Sequence, residues 1–335
     1  MAKSLRQRLF GWTKRRESRR FGDFLPIRPV HDGEKACVYQ ARRPPDTVLY
    51  ALKVYKPGYD RTARRIQKRY GLPCEGEIGL SLTPPTVASD SSSPAEAAEL
   101  RRADASFPIV RTFACGFEYD DPARCQYLVQ EFVDGANLKH MIACADPRLR
   151  VQRLEILRTA GQALAIIHER GLIHRDVCSD NILFARDGRT KLIDLGFTAP
   201  AGIAFEEKSG TPSTMSPEQC QGRPLAPTAD IYSFGVVLFE VFTGSLPFSA
   251  GGSSGNPERA ARRASELIQK HLHDPPPRPS EVARDLPEGL EPIILRCLEK
   301  LPERRYPNMK ELLRDLANLQ ERELEAAGGP AGEPK

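Results

Sequence analysis

Residues 173–196 read I-H-R-D-V-C-S-D-N-I-L-F-A-R-D-G-R-T-K-L-I-D-L-G. Two tight turns in this stretch carry a carboxylate (Asp176), an amide (Asn181) and a second carboxylate (Asp194). Between them, Ile182-Leu183-Phe184, a turn at Arg186-Asp187-Gly188, and Lys191-Leu192-Ile193 read as a short hairpin. Folding it back brings Asn181 and Asp194 to the same end. Two hard oxygen ligands beside a further carboxylate suit magnesium and a phosphate-bearing substrate. Turns often contain Asp and Asn without any such role. The spacing separates the two readings: H-R-D-x-x-x-x-N is followed thirteen residues later by D-L-G.

Composition narrows the classes around that stretch. A chain of 335 residues, 40% hydrophobic and 28% charged, can bury one large core or two smaller ones. Its eight cysteines are scattered with no C-x-x-C pair, which argues against a disulfide framework or a zinc site and for a reducing, cytoplasmic setting. No apolar run reaches the roughly 18 residues that span a bilayer, and no signal-peptide pattern opens the chain. The net charge of +5 is concentrated in residues 1–20, where eight basic residues face Glu17 alone. The remainder is nearly neutral, so nucleic-acid binding is not expected. The basic leader, with Leu5, Leu9, Phe10 and Trp12, reads as a disordered tail that could meet an acidic partner or a membrane surface.

From Phe24 the pattern is of short strands: 24–27, 36–41 and 48–55, with a turn at residues 31–35. Lys53 shares a strand face with Ala51 and Tyr55 in an otherwise apolar run. A lysine there is costly unless a carboxylate or phosphate meets it.

Taken together, these motifs resemble a eukaryotic-type Ser/Thr protein kinase of the bacterial kind, from about Phe24 to Leu319. Ala51-Leu52-Lys53 is similar to the family's lysine strand, and His174-Arg175-Asp176 with Asn181 to its catalytic loop. Asp194-Leu195-Gly196 stands for D-F-G and Ser216-Pro217-Glu218 for A-P-E. The Gly-rich loop is eroded: His31, Gly33 and Ala36 occupy the three glycine positions.

The resemblance implies an α+β, bilobal kinase-like fold, with a small β-rich N-lobe bearing one regulatory helix and a larger, mostly helical C-lobe. Residues 1–22 form a disordered leader, 23–320 the kinase domain and 321–335 a disordered tail. Within the domain, 23–130 is the N-lobe, 131–137 the hinge and 138–320 the C-lobe, with an insertion at about 83–107. The resemblance further implies ATP and magnesium as cofactors and protein substrates as partners. Asp176 is then the catalytic carboxylate, with Lys53 and Asn181; Asn181 and Asp194 hold the metal. Gly33, Val38, Ala51, Lys53, Glu131, Val133 and Leu183 surround the nucleotide, with Gln130 as gatekeeper. Glu77 is the expected carboxylate partner of Lys53, with Glu75, Glu96 and Glu99 as alternatives; a helix starting at Ser93-Pro94 competes with residues 75–82 for that role.

Further along, Val151, Leu154, Leu157, Gly161, Leu164 and Ile167 mark one helical face, and residues 230–241 read as a helix apolar all round, therefore buried. By resemblance Asp230 anchors the catalytic loop, Thr211 to Glu218 shape the peptide groove, and Arg305 pairs with Glu218. Residues 251–255 read as a flexible loop. Arg175 implies control by phosphorylation, at Thr198, Ser209 or Thr211, unless Glu206 or Glu207 supplies the anion.

One departure stands out. The family usually has Lys two residues after the catalytic Asp; here it is Cys178, in a loop without any cation. Losing one such preorganised group costs on the order of 10² to 10³ in rate. The leading expectation is an ATP-dependent Ser/Thr protein kinase. The alternative is a pseudokinase, binding nucleotide or serving as a scaffold, on account of Cys178 and the eroded loop.

Overall fold

The computed structural model describes residues 21–33, 35–45, 47–84, 106–117, 126–206, 209–251 and 257–328. The chain divides into two units: residues 109–134 join the N-terminal part, and Ser106–Pro108 join the part that begins at Gly135.

The first unit is built on strands β1 (Leu25–Asp32), β2 (Ala36–Arg42), β3 (Leu49–Tyr55), β4 (Thr112–Phe117) and β5 (Gln126–Glu131). They form an antiparallel sheet in the order β1-β2-β3-β5-β4. Pro26 and Pro29 lie on β1, an edge strand, where a missing N–H breaks no interior ladder; the register shifts beside each. Alternating residues of β2 and β3 (Cys37, Tyr39, Ala41, Tyr50, Leu52, Val54) close a core with Phe21, Phe24 and Val129. Phe21 is fully buried and pairs through its backbone with Phe24. Phe21, placed in the leader expected to end at residue 22, is therefore part of the folded core. Residues 1–20 lie outside the described residues.

Two helices lie between β3 and residue 84, of which only the second was expected. Helix α1 (Pro57–Tyr70) has Pro at its start and Gly71 at its left-handed C-cap. Helix α2 (Glu75–Leu82) lies so close to β4 that a Cβ on Gly76 would collide with Cys115, and one on Gly79 with Thr112. The competing helix at Ser93-Pro94 and most of the insertion, residues 85–105, lie outside the described residues.

The second unit comprises β6 (Gly135–Asn137), α3 (Leu138–Ala143), α4 (Pro147–Glu169), β7 (Leu172–Ile173), β8 (Ile182–Ala185), β9 (Thr190–Leu192), β10 (Ala199–Pro200), α5 (Pro217–Cys220), α6 (Pro227–Thr243), α7 (Pro257–His273), α8 (Pro279–Val282), α9 (Leu290–Cys297) and α10 (Met309–Gly328). Helix α4 buries Leu154, Leu157, Gly161, Leu164 and Ile167 along one face. Val151, expected on that face, is 83% exposed, because the helix starts earlier, at Asp146-Pro147, and Leu149 takes the buried position. Helix α6 is buried from Ala229 to Phe242. Helix α10 runs to Gly328, so residues 321–328, expected in a disordered tail, continue a helix. The loop at 252–255 lies outside the described residues.

Candidate active site

In the first unit, Lys53 is paired in register with Val38 of β2 and Leu128 of β5. Its ammonium reaches both carboxylate oxygens of Glu75, at 2.9 and 3.0 Å. Glu75, buried, also accepts a hydrogen bond from the Tyr55 hydroxyl. The partner expected for Lys53 was Glu77, and this is corrected: Glu77 points out to solvent and caps its own helix. Its carboxylate accepts from the Cys74 N–H at 2.7 Å, while its own N–H donates to the Cys74 sulfur at 3.4 Å. The reason is position. Glu77 is the third residue of the helix, where a side chain bends back to the N-cap, whereas Glu75 at the first faces the sheet.

The other nucleotide candidates of this unit fall around the same strands. Gly33 lies in the β1–β2 turn, its N–H donating to the Ala36 carbonyl at 3.0 Å. Ala51 pairs with Gln40 and Gln130. Gln130 is buried, its amide 3.4 Å from the Thr112 hydroxyl. The Glu131 N–H is taken by the Arg111 carbonyl at 2.9 Å. Val133 is half-buried beyond the end of β5.

In the second unit, the H-R-D turn is held from beneath. Asp230, at the first turn of α6, accepts from the His174 N–H at 2.8 Å and the Arg175 N–H at 2.9 Å. Burial alone would raise the Asp230 carboxyl. The hydrogen bond and charge of His168, at 2.8 Å, outweigh it, with His174 and the Arg175 N–H helping, so the group stays below its ordinary value. Arg175 (φ +67°) and Asp194 (φ +59°) both sit in the left-handed region that non-glycine residues rarely adopt, the strain typical of residues held for function.

Asp176 and Asn181 are brought together directly. The Asn181 amide donates to the Asp176 carbonyl at 2.8 Å and lies 3.3 Å from its carboxylate. The Thr211 hydroxyl donates to the other Asp176 oxygen at 2.7 Å. The β8–β9 hairpin is closed at its base by the Ile193 N–H on the Asn181 carbonyl at 2.9 Å, which sets Asp194 next to Asn181 along the backbone. Leu183, half-buried on β8, pairs with Lys191 and Asn137. With the Asn181 amide nitrogen committed to Asp176, its oxygen is the end left to face a cation. An amide oxygen and the Asp194 carboxylate are the hard-oxygen chemistry that magnesium takes.

Cys178 is buried at the position of the family's lysine, 3.9 Å from the Thr211 hydroxyl. Burial, then the carboxylates of Asp176 and Asp180, push its thiol up to about 12, so it is uncharged at working pH. A cation from another element meets this loop: Lys139 on α3 pairs with Asp180 at 2.6 Å.

The activation segment shows where its candidate phosphate acceptors lie. Ser209 accepts from the Arg175 guanidinium at 2.8 Å, and that guanidinium stacks 3.5 Å from the centre of the Phe205 ring. Thr198 is buried and Thr211 faces Asp176. Glu206 is exposed; Glu207 lies outside the described residues. Gln219 ties the segment to the catalytic loop, donating to the carbonyls of Arg175 (2.8 Å) and Ser209 (2.7 Å). Sequence reasoning missed Gln219, His168, Lys139 and the Tyr55 hydroxyl. For Glu77 a signal was present: Cys74-x-x-Glu77 has capping-box spacing with sulfur in place of a hydroxyl.

A family model described as Protein kinase domain matches residues 88–316, more than half of the chain. The chain belongs to the protein kinase domain family. Lys53 and Glu75 precede the matched span. Among curated proteins the chain is similar to a probable serine/threonine-protein kinase of Clostridium acetobutylicum, 33% identical over 198 residues, covering 58% of this chain and 28% of that one. It is also similar to the serine/threonine-protein kinase PknB of Mycobacterium tuberculosis, 32% identical over 218 residues (63% and 33%). A third relative is the serine/threonine-protein kinase Pkn1 of Myxococcus xanthus, 35% identical over 202 residues (58% and 27%). These matches span a third or less of the relatives' own length.

Proposed function

We propose that this chain is an ATP-dependent Ser/Thr protein kinase that moves the γ-phosphate to a serine or threonine hydroxyl of a protein. The observation that carries the reading is the hydrogen-bonded set of Asp176, Asn181 and Thr211. Phosphoryl transfer asks for positioning and charge neutralisation. Asp176 takes the proton of the attacking hydroxyl as its oxygen bonds to the γ-phosphorus; the bond to the β-phosphate oxygen breaks and ADP leaves. Thr211 and Asn181 hold that carboxylate in place. Asn181 and Asp194 would hold magnesium, which would supply neutralisation of phosphate charge. Lys53, fixed by Glu75, supplies the phosphate-binding cation. The serine/threonine assignment is supported by the relatives named above and by Thr211 on Asp176. A reducing, cytoplasmic setting is supported by the scattered spacing of the eight cysteines, which holds no C-x-x-C pair.

The test is incubation of the full chain with γ-labelled ATP, magnesium and a Ser/Thr-rich acceptor protein, followed by phosphoamino-acid separation. Label on serine or threonine is the expected result. Label on tyrosine alone overturns the specificity. No label, with a thermal shift from Mg-ATP, makes the chain a nucleotide-binding pseudokinase, the reading that Cys178 favours.

A further inference from the structure

Only Lys56 separates β3 from helix α1, and the first turn of α1 carries Tyr59. Pro57 starts the helix at once, so Tyr59 comes back to Tyr55, the two rings stacked with centroids 5.9 Å apart and planes 11° from parallel. Tyr55 lies two residues beyond Lys53 on β3, and therefore on the same side of the sheet. The Lys53 ammonium stands 5.2 Å from the centre of the Tyr55 ring. The Tyr55 hydroxyl donates to the Glu75 carboxylate, which also takes that ammonium at 2.9 and 3.0 Å. Tyr55 and Glu75 are both buried. From the β1–β2 turn, the Lys35 ammonium stands 5.8 Å from the centre of the Tyr59 ring, and the Lys35 carbonyl accepts from the Lys56 N–H at 2.9 Å.

We propose that Tyr55 and Tyr59 are positioning residues for Lys53, and that α1 is a brace which keeps the Lys53–Glu75 pair engaged. Glu75 is the first residue of α2, at a helix end whose N–H groups have no partner within the helix. Lys53 carries its charge on a flexible four-carbon stem. Holding both ends of such a pair in one geometry costs side-chain entropy. Tyr55 acts on each: its hydroxyl fixes the carboxylate and its ring lies beside the ammonium. The Tyr59 ring in turn holds the Tyr55 ring in place. The contacts thus run from α1 through Tyr59, Tyr55 and Glu75 to Lys53. The brace does not depend on the kinase reading; its use in phosphate transfer rests on that reading.

The test takes the full chain with Tyr55→Phe, Tyr59→Ala or Tyr59→Phe, each alone and combined with Glu75→Gln, with thermal midpoints compared so that loss of fold is told apart. Tyr55→Phe and Tyr59→Ala are each expected to lower kcat/KM for Mg-ATP about tenfold, the order of one hydrogen bond to a charged group. Tyr59→Phe, which keeps the stacked ring, restores what Tyr59→Ala loses. In the Glu75→Gln background neither change lowers kcat/KM further, because both act through Glu75. Parent-like kcat/KM in Tyr55→Phe, or losses that add in full to that of Glu75→Gln, overturns the positioning role. Hydrogen exchange of the 75–82 amides reads the brace without nucleotide. Exchange is expected to quicken in Tyr55→Phe and Tyr59→Ala and to match the parent in Tyr59→Phe. Quicker exchange in a protein that transfers no phosphate leaves the brace standing and removes the kinase reading. Transfer at the parent rate in both variants, with exchange unchanged, does the reverse.

Discussion

Arg305 donates to both carboxylate oxygens of Glu218, at 2.7 and 2.9 Å, with both side chains out of water. The same guanidinium also reaches the carbonyls of Glu299, Thr228 and Lys300, so it joins the end of the activation segment to the loop before α10. Breaking a buried pair strands a charge, which costs about 3–5 kcal/mol. Arg305→Met should lose stability of that order in urea unfolding. The Arg305→Met/Glu218→Leu double variant should lose less than the two single changes combined.

Lys53 and Glu75 give a second prediction, because Glu77 sits two residues away with a different task. Glu75→Gln should lower phosphate transfer by about 10²-fold, the order expected for one preorganised charge at such a site. Glu77→Gln should leave transfer within a few-fold and weaken only the helix cap. Steady-state kinetics of the two variants separate the roles; equal losses would contradict the assignment.

His271 supplies a pH dependence of stability. It is buried beside Lys300, with the Tyr232 hydroxyl on its Nδ1 at 2.9 Å. Burial, then the Lys300 charge, pull its value down from 6.5 to about 4. The folded protein therefore keeps this ring neutral while the unfolded chain protonates it. The stability it contributes is present above pH 6.5 and is lost as pH falls toward 4, by up to about 3 kcal/mol. His271→Gln should flatten denaturation midpoints across that window.

Cys178 is held as a thiol by burial and by two carboxylates, so its stabilising neutral form persists from its ordinary value of 9.0 to about 12. The rate profile between pH 6 and 9 should show no limb from this residue. Iodoacetamide at pH 8 should label the exposed Cys144 and spare Cys178 in the folded protein. Cys178→Ala should change the rate by less than about tenfold, because no charge is removed.

How far the chain could be read in advance depended on whether a residue's role is local. Asp176, Asn181 and Asp194 were legible because their spacing is fixed by one loop and one short hairpin. Arg305 and Glu218 were legible only through the family pattern, since 87 residues separate them. The Glu75/Glu77 choice was not, because it turns on which helix position faces β3, and a sulfur cap hides the usual Ser or Thr signal. Helix α1 was missed although Pro57 and Gly71 bracket it; its basic sequence buries no described side chain, so no apolar stripe marks it. Gln219 and His168 act through backbone carbonyls and a buried carboxylate that only the folded chain brings within reach.

The central claim is that Asp176 receives the proton of the attacking hydroxyl. Its most direct test is label transfer from γ-labelled ATP by the parent and by Asp176→Asn, each checked for unchanged unfolding and for Mg-ATP binding by thermal shift. The variant should bind nucleotide as the parent does and transfer phosphate at least about 10²-fold more slowly. Equal incorporation in the two proteins would contradict it.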